Sequence, residues 1–304
     1  MAMPGRFFGP RYWATWIGLG FVRLVELLPF PALLAVGRAL GWVARQLPLP
    51  YTRIARRNME LCLPELGYAE REALLKRHFL SLGMGILESA MTWWSSDTRI
   101  DALAEIEGLE HVHAALAKGQ GAIILTAHFT TLQIGARILN NRVPINVLYR
   151  PLKNELLAHV SGGSFGRQAR KAIKQDDVRA MISALRRNEI VWYATDQSYR
   201  KKGAMMVPFF AHPAATNVFT SRLAGLTGAQ VLYYASERLP GTSGWRATIY
   251  PPFTDWPGTD PVTDTLRYHA LIEAQVRRMP DQYWWIHRRF KGLEPGYPDF
   301  YGPR

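Results

Sequence analysis

Apolar residues dominate the first 48 residues of the chain, but charged residues and prolines interrupt them. The interruptions are Arg23, Glu26, Pro29, Pro31 and Arg38. No uninterrupted run reaches the roughly 18 residues of a transmembrane helix, and no small-residue cleavage site marks a secretory signal. The pattern favours two helices joined at LPFP, with Trp13, Trp16 and Trp42 near their ends, as a hairpin that lies in or dips into one membrane leaflet. A buried helical pair and a single membrane span are the alternatives.

Two further helices are predicted between this segment and the rest of the chain. Residues 51–63 have helical spacing that ends near Pro64, and residues 68–94 form a long helical pattern. The apolar face predicted for the long helix consists of Leu74, Phe79, Leu82, Ile86 and Met91. A short helix within residues 106–118 follows, and glycines at 119 and 121 mark its end.

After residue 121, short apolar runs alternate with helical patterns. The predicted strands are AIILTA, INVLYR, EIVWYATD, AQVLYYASERL and WRATIYPPF. The predicted helices are TTLQIGARILN, PLKNELLAHV, DDVRAMISALRRN, VFTSRLAGLTG and DTLRYHALIEAQVRRMP. This alternation predicts an α/β fold with a central, mostly parallel or mixed sheet flanked by helices. We expect two parts, the membrane-associating helices of residues 1–48 and an α/β domain of residues 49–304.

The charge balance adds an expectation about partners. Lysine and arginine number 37 against 24 acidic residues, a net charge of +13. Such an excess favours anionic partners, and the arginines of YTRIARRNME indicate that this side of the apolar segment faces the cytoplasm. A soluble basic protein without such a partner is the alternative. Nucleic acid is not expected, because the chain has no zinc-finger spacing, ribonucleoprotein motif or basic heptad pattern.

The candidate chemistry begins at His128, directly after the predicted strand AIILTA. In α/β proteins the carboxyl end of a sheet strand faces the crevice where ligands bind. A histidine there can accept a proton from an attacking hydroxyl. Gln133, on the first turn of the next predicted helix, could reach back to the imidazole and fix its tautomer. A purely structural histidine is the alternative.

Several blocks resemble a known family, in order along the chain. They are AHFTTLQIGARIL, YRPLKN, DDVRAMISALRRNEIVW, YATDQSYRKKGAMMVPFF, AATN and YWWIHRRFK. The first looks like the His-x4-acid block of the glycerolipid and lysophospholipid acyltransferase superfamily. Together the blocks are similar to the late acyltransferases of lipid A synthesis, the lauroyl and myristoyl transferases, from about residue 10 to the end. DQSYRKKG with PFFA resembles the lauroyl-transferring branch.

The resemblance implies transfer of a fatty acyl chain from acyl carrier protein to a hydroxyl of the (Kdo)2-lipid IVA-type lipid A precursor, in lipopolysaccharide biosynthesis. His128 would be the general base, and residue 133 would be the acid that orients it. The implied partners are acyl carrier protein, the phosphate-bearing precursor and lipid of the cell inner membrane, at its cytoplasmic face. No metal or redox cofactor is implied, because the thioester is already activated. The basic loop 200–202 would suit an acidic carrier or a lipid head group.

A further set of residues is expected to shape the substrate site. The predicted substrate-binding residues are Arg150, Asn154, Arg179, Asp196, Gln197, Asn217, Arg288 and Arg289. Simpler structural roles stand beside these expectations. Arg150 could pair with a core acid, Asp196 could cap a turn, and Arg288 and Arg289 could belong to a solvated basic face.

Gln133 departs from the family pattern, which calls for Glu or Asp at this position. An amide can accept a hydrogen bond from Nδ1–H, but it cannot stabilise the imidazolium that forms when His128 takes a proton. We therefore expect turnover to fall by roughly a hundred- to ten-thousand-fold. Two explanations compete: a Glu-to-Gln substitution that traps substrate, and a natural protein that has diverged. An acyltransferase for a different membrane lipid and a catalytically inactive lipid-binding relative are the alternative functions.

Overall fold

The computed structural model describes residues 4–150, 152–160 and 169–302. Two short 3-10 helices, Gly5–Phe8 and Pro10–Tyr12, lead into the N-terminal helices. These are α1 (Trp13–Glu26), α2 (Phe30–Gln46), α3 (Pro50–Cys62) and α4 (Tyr68–Trp94). The two helices predicted on either side of LPFP and the two helices predicted after them are thus confirmed. The first two do not pack along each other as a hairpin, because both α1 and α2 pack against α4 instead. No helix in the described part of the chain combines the length and apolarity that a membrane crossing requires.

Helix α2 packs against α4 at very short distance because both helices carry glycine at the contact. A Cβ atom added to Gly41 would lie 2.0 Å from the carbonyl oxygen of Phe79, and one added to Gly83 would lie 2.1 Å from that of Gly37. The backbones therefore meet where no larger residue fits. The apolar face predicted for α4 is wrong at one position, since Ile86 is 55% exposed.

Glu26, one of the charges that interrupt the N-terminal apolar segment, is satisfied inside the protein. It is 2% exposed at the end of α1 and accepts hydrogen bonds from the Ser95 hydroxyl and from Arg99 Nη1, the latter at 3.2 Å. Arg99 also donates to the backbone carbonyls of Glu26 and Leu28, at 2.7 and 2.5 Å. A buried carboxylate is tolerated when it is paired in this way. This ion pair attaches the turn between α1 and α2 to the residues that follow α4.

Within the described residues the sheet is mixed and has seven strands, in the order β1-β9-β8-β2-β5-β3-β4. They are β1 (Ala104–Glu107), β2 (Ala122–Thr126), β3 (Ile145–Tyr149), β4 (Lys171–Lys174), β5 (Ile190–Ala194), β8 (Gln230–Arg238) and β9 (Trp245–Ile249). Strands β6 (Ala204–Phe209) and β7 (His212–Asn217) form a separate antiparallel hairpin. All pairings in the large sheet are parallel except β8 with β9. The expected α/β class and central sheet are confirmed.

Helices connect the strands and cover both faces of the sheet. They are α5 (Asp97–Asp101), α6 (Leu109–Ala117), α7 (Leu132–Asn140), α8 (Val178–Arg186), α9 (Phe219–Thr227) and α10 (Pro261–Arg278). Residues 155–160 are also helical, whereas Pro151 of the predicted helix PLKNELLAHV lies outside the described residues. The sequence prediction missed β1, β4, β6 and β7, and it carried the strand WRATIYPPF past its actual end at Ile249.

Alternate side chains of the central strand β2 enter two different apolar cores. Ile123 and Leu125 pack in the core that includes Tyr268 and Ile272 of α10. Ile124 points to the opposite core, which includes residues of α2 and α4 such as Leu34 and Leu87. Successive strand residues face opposite sides of a sheet, so a continuous apolar run indicates burial on both. Helix α2 and the second half of α4 therefore belong to one of the two layers that enclose the sheet, whereas α3 and the first half of α4 pack in the other.

Candidate active site

His128 and Asp196 lie side by side because of the register of two neighbouring parallel strands. Thr126, the last residue of β2, pairs with Ala194, the last residue of β5. Two residues beyond each strand end, His128 Nδ1 lies 2.7 Å from Asp196 Oδ1. The backbone N–H of His128 donates to the same carboxylate oxygen, at 3.0 Å. The strand pairing thus places an imidazole and a carboxylate in contact at the carboxyl edge of the sheet, where α/β proteins bind ligands.

Asp196 is ionised and therefore fixes the tautomer of the imidazole. Burial alone would raise the pKa of this carboxyl group, which is 2% exposed. The charge on His128 and the hydrogen bonds from its ring and backbone outweigh burial and lower the pKa of Asp196 to about 2. An ionised carboxylate can only accept, so Nδ1 carries the proton and Nε2 keeps a free lone pair. A neutral His128 is consequently arranged as a base at Nε2.

Residues 282–291, which we call the C-terminal segment, bind the loop after β2 through backbone contacts. The Trp284 N–H donates to the His128 carbonyl at 2.9 Å, and the Thr130 N–H donates to the Gln282 carbonyl at 2.8 Å. Between them, Phe129 and Tyr283 form an isolated antiparallel bridge. The backbone around His128 is therefore fixed by three successive contacts with the segment that contains WWIHRR.

A second histidine fixes the loop that carries Asp196. The Ser198 N–H donates to His287 Nε2 at 3.1 Å. Burial lowers the pKa of His287 to about 4, so the ring is neutral near pH 7 and can accept this hydrogen bond. Asn58 of α3 holds the same segment by donating from Nδ2 to the carbonyls of Trp285 and His287, at 2.6 and 2.7 Å. The role of His287 in the structure is thus to position the backbone two residues after Asp196.

A crevice opens beside His128 and Asp196, and aromatic side chains form much of its wall. It is lined by His128, Asp196, Gln197, Asn58, Cys62, Phe209, Tyr283, Trp284, Trp285, His287, Arg289 and Phe290. The sequence prediction had placed Asp196 and Gln197 at this crevice, and both line it. Asn58 and Tyr283 were missed, because only the fold brings α3 and the C-terminal segment to the ends of β2 and β5.

Gln133 occupies a different position from the one expected of an orienting group. It lies on the first turn of α7 and is exposed, and it does not line the crevice. The carboxylate that contacts the imidazole comes from Asp196 instead. The expectation that residue 133 is the partner of Nδ1 is therefore corrected: the geometry assigns that contact to the end of β5.

Arg289 is buried, so it does not belong to a solvated basic face. It is 3% exposed, and its guanidinium donates to the Ala215 carbonyl at 3.0 Å and to Thr216 Oγ1 at 2.7 Å. The same group lies over the ring of Phe209, 5.0 Å from its centroid. These contacts attach the β6–β7 hairpin to the C-terminal segment. Arg288 is half-buried, with its guanidinium 5.6 Å from the centroid of Tyr301.

The remaining predicted substrate-binding residues lie away from the crevice wall. Arg150 is exposed at the carboxyl end of β3, and Arg179 is exposed on α8. Asn154 donates to Thr15 Oγ1 of α1 at 3.0 Å, while its Oδ1 accepts from the backbone of the helix that follows it. Asn217 caps the turn after β7 by accepting from the Phe219 N–H at 3.0 Å. Asn154 and Asn217 therefore have visible structural roles, and contact with substrate stays a prediction for all four.

Metal ligation has no candidate set in the described ranges, where no three His, Cys, Asp or Glu side chains lie together. Cys62 is buried at the crevice wall, and burial raises the pKa of its thiol well above the ordinary value. A thiol in this condition is a poor nucleophile. The group at the crevice that is arranged to accept a proton is thus the imidazole of His128.

Comparison with known proteins shows similarity along nearly the whole chain. The model of the bacterial lipid A biosynthesis acyltransferase family matches residues 5–292. The chain is 35% identical over 293 residues to a lipid A biosynthesis lauroyltransferase of Escherichia coli (strain K12), covering 96% of each chain. It is 36% identical over 296 residues to a lipid A biosynthesis palmitoleoyltransferase of the same organism, covering 97% of this chain and 96% of the relative. A myristoyltransferase from that organism is 25% identical over 295 residues, covering 94% and 90%.

The lowered pKa of Asp196 predicts a specific dependence of stability on pH. Its folded pKa of about 2 lies below the ordinary value of 3.8, so the ionised carboxylate stabilises the fold above about pH 4. This contribution is lost as the pH falls from about 4 towards 2. We expect the melting temperature of the chain, relative to that of Asp196→Asn, to decrease over this range. Calorimetry of both proteins checks this, and a constant difference from pH 5 to pH 2.5 would contradict the pairing.

Proposed function

Because the chain belongs to the family of bacterial lipid A biosynthesis acyltransferases, we propose that it transfers a fatty acyl group from acyl carrier protein to a hydroxyl of a (Kdo)2-lipid IVA-type precursor. The family acts in lipid A and lipopolysaccharide biosynthesis. The observation that supports the reaction in this chain is the contact between His128 Nδ1 and Asp196 at the crevice. It leaves Nε2 free to accept the proton that an attacking hydroxyl must lose.

The proposed reaction has two steps at one carbonyl carbon. His128 Nε2 takes the proton of the acceptor hydroxyl while the hydroxyl oxygen attacks the thioester carbonyl. The tetrahedral intermediate then collapses, the carbon–sulfur bond breaks, and the departing thiolate takes the proton back from the imidazolium. The products are the acyl ester of the lipid and the free thiol of the carrier. Asp196 stabilises the imidazolium between the two steps, as a buried carboxylate does in a serine protease triad.

No metal or redox cofactor is part of the proposed reaction, since the thioester already activates the acyl group. Arg150 is the proposed contact for a phosphate of the acceptor. It is exposed just beyond β3, which neighbours β5 in the sheet. Because β2, β5 and β3 run parallel, Arg150 follows the same sheet edge as His128 and Asp196. A guanidinium there can bind phosphate by two parallel hydrogen bonds.

The effect of Gln133 depends on which group orients the imidazole. The large loss expected for a neutral residue at 133 applies if residue 133 is the acid that orients His128. Asp196 makes that contact, so we propose that Gln133 lowers the rate only modestly and that the chain retains turnover. A carboxylate at 133 would still favour the imidazolium through its charge. An inactive lipid-binding relative is the competing function, and Gln133 is the observation that favours it.

We expect opposite and unequal effects from two single substitutions. Asp196→Asn leaves the shape of the site intact but removes the charge that orients and stabilises His128, so kcat should fall by roughly a hundred- to ten-thousand-fold. Gln133→Glu should raise kcat by less than about ten-fold, because an exposed charge is screened by water. Steady-state transfer from acyl carrier protein to the tetraacyl precursor measures both. A gain above a hundred-fold in Gln133→Glu, with little loss in Asp196→Asn, would return the orienting role to residue 133.

An exposed apolar surface on α1 supports the proposed location at the membrane. Four large apolar side chains follow helical spacing on one side of α1 and its C-terminal cap: Trp13, Ile17, Leu24 and the cap residue Leu27. Their exposed fractions are 60%, 74%, 68% and 60%. Large apolar side chains exposed together mark a surface that binds lipid or protein. We propose that this stripe lies in the cytoplasmic leaflet of the cell inner membrane, as an interfacial helix does.

The membrane-facing helix lies at the same sheet edge as the crevice. Residues 152–160 follow β3, and there Asn154 donates to Thr15 of α1 while Glu155 contacts Arg11 and Tyr12. The apolar stripe is thereby linked to the end of the strand that neighbours β5. In the proposed function, a lipid acceptor embedded in the leaflet would approach His128 from this side.

The basic loop Arg200–Lys202 is the proposed contact for the donor. These three residues are exposed, and they begin four residues after Asp196. The Tyr199 N–H donates to the Ala215 carbonyl at 3.0 Å, which fixes the base of the loop beside the β6–β7 hairpin. Positive charge near the crevice would attract an acidic carrier and increase its rate of association.

Replacing Arg200, Lys201 and Lys202 together by Ala should raise KM for the acyl carrier thioester by about ten-fold and leave kcat nearly unchanged. The effect should shrink at high salt, because exposed charges are screened. The same acyl group on coenzyme A provides the control, since this donor has no protein surface to contact the loop. An equal rise in KM for both donors would assign the loop to the lipid or to the thioester group rather than to the carrier.

A further inference from the structure

A buried ion pair lies between α4 and the sheet, close to the loop after β2 that carries His128. Arg238, the last residue of β8, donates from Nε and Nη2 to the two carboxylate oxygens of Glu88, both at 2.5 Å. The two side chains are 5% and 1% exposed. Trp245 Nε1 donates to Glu88 Oε1 at 3.0 Å. The proposed chemistry does not use these groups, although a buried charge pair costs desolvation energy that a merely apolar contact would avoid.

The remaining nitrogen of the Arg238 guanidinium, Nη1, is linked through Ser81 to the loop after β2. Nη1 donates to Ser81 Oγ of α4 at 2.8 Å, and Ser81 Oγ lies 3.0 Å from Thr130 Oγ1. Because Ser81 accepts from the guanidinium, its own proton is free to be donated to Thr130. Thr130 is two residues after His128 and is buried. A continuous chain of hydrogen bonds thus runs from the ion pair to the loop after β2.

The backbone of Arg238 reaches the same loop by a second route. Its N–H donates to Gln282 Oε1 at 2.8 Å, and its carbonyl accepts from Gln282 Nε2 at 2.9 Å. The Gln282 carbonyl in turn accepts from the Thr130 N–H at 2.8 Å. Both routes end at Thr130, one at its hydroxyl and one at its backbone. We refer to Glu88, Arg238, Ser81, Gln282 and Thr130 as the Arg238 network.

We propose that the Arg238 network positions His128 for proton transfer. In this proposal the network acts on the loop through the hydrogen bond between Ser81 and Thr130. Hydrogen bonds hold both the side chain and the backbone N–H of Thr130. The buried end of the loop that begins at His128 is therefore held in a single conformation. Buried polar networks that are fully satisfied impose this kind of single geometry. None of these residues lines the crevice, so they act through His128 and are positioning residues. The inference rests on the proposed function, because it assigns them a part in that reaction.

The test compares Ser81→Ala, Thr130→Val and the double variant, all of which keep the ion pair. Each single change breaks the link, so kcat should fall about ten-fold with KM within about two-fold of the unsubstituted chain, as expected when a reacting group is misplaced. The double variant should be no slower than the slower single variant, because both remove the same contact. Thr130→Ser keeps the hydroxyl, so its kcat should be close to that of the unsubstituted chain and well above that of Thr130→Val.

Ser89→Ala is the matched control on the same helix. Its hydroxyl donates to the Gly85 carbonyl of α4 at 2.7 Å and takes no part in the Arg238 network. We expect it to keep kcat and to change only the melting temperature slightly. If Ser81→Ala and Thr130→Val behaved like this control, or if their effects on kcat multiplied in the double variant, the positioning role would be overturned.

A measurement without substrate separates this inference from the proposed function. The rate at which diethyl pyrocarbonate modifies His128, followed by peptide mass spectrometry, reports the exposure and hydrogen bonding of the ring. Ser81→Ala and Thr130→Val should change this rate at least about three-fold, and Ser89→Ala should not. If the unsubstituted chain and Gln133→Glu both failed to transfer an acyl group, the proposed function would fall while the modification rates still decided whether the network positions His128. Unchanged rates in both variants would overturn the inference.

Discussion

The contact between His128 Nδ1 and the Asp196 carboxylate is the interaction on which the rest of the site depends. A carboxylate that is 2% exposed stays ionised because the charge of the imidazole and hydrogen bonds from His128 and Tyr283 outweigh the effect of burial on its pKa. In return, the ionised group sets the tautomer that leaves Nε2 available as a base. The parallel register of β2 and β5 brings the two residues together, because it pairs the last residue of one strand with the last residue of the other.

The rest of the chain encloses this contact from several directions. The C-terminal segment binds the loop of His128 through backbone hydrogen bonds, and His287 in that segment binds the loop of Asp196. Asn58 of α3 holds the segment in place, so an N-terminal helix supports a C-terminal wall. These contacts add to the direct hydrogen bonds between His128 and Asp196, and together they fix the two loops at the carboxyl edge of the sheet relative to each other.

Buried charge is used repeatedly to join distant parts of the fold. Glu26 with Arg99 attaches the turn between α1 and α2, and Glu88 with Arg238 joins α4 to the sheet. Buried Arg289 joins the β6–β7 hairpin to the C-terminal segment. Each charged group has hydrogen-bonding partners, as burial requires. None of these three contacts uses the exposed apolar side chains of α1. Those side chains form the surface of the proposed membrane contact.

Much of the fold was predictable from the sequence, since it depends on local patterns. Strand β2 and helix α4 are visible as a short apolar run and as a long helical repeat, and the structure confirms both. The short edge strands β1 and β4 were missed because their alternation covers only four residues each. The proline-containing hairpin β6–β7 was missed because Pro208 and Pro213 argue against strands when read locally.

The candidate site was predictable only in part, for a similar reason. His128 follows a recognisable strand, and Asp196 follows another, so both were placed at the crevice. Their direct pairing required the order of the strands in the sheet, which no local pattern contains. Sequence spacing instead drew attention to Gln133, five residues from His128, although its side chain is exposed on α7. Arg289 showed the same limit, because a run of basic residues looks solvated until the fold buries one of them.

The most direct test of the account is to look for the acylated product itself. The chain and its His128→Ala variant would each be incubated with acyl carrier thioester and the tetraacyl lipid A precursor, and the lipid examined by mass spectrometry. The account predicts one added acyl chain on the precursor with the unsubstituted chain and none with the folded variant. Equal acylation by both proteins, or binding of the precursor without any product from the unsubstituted chain, would contradict it.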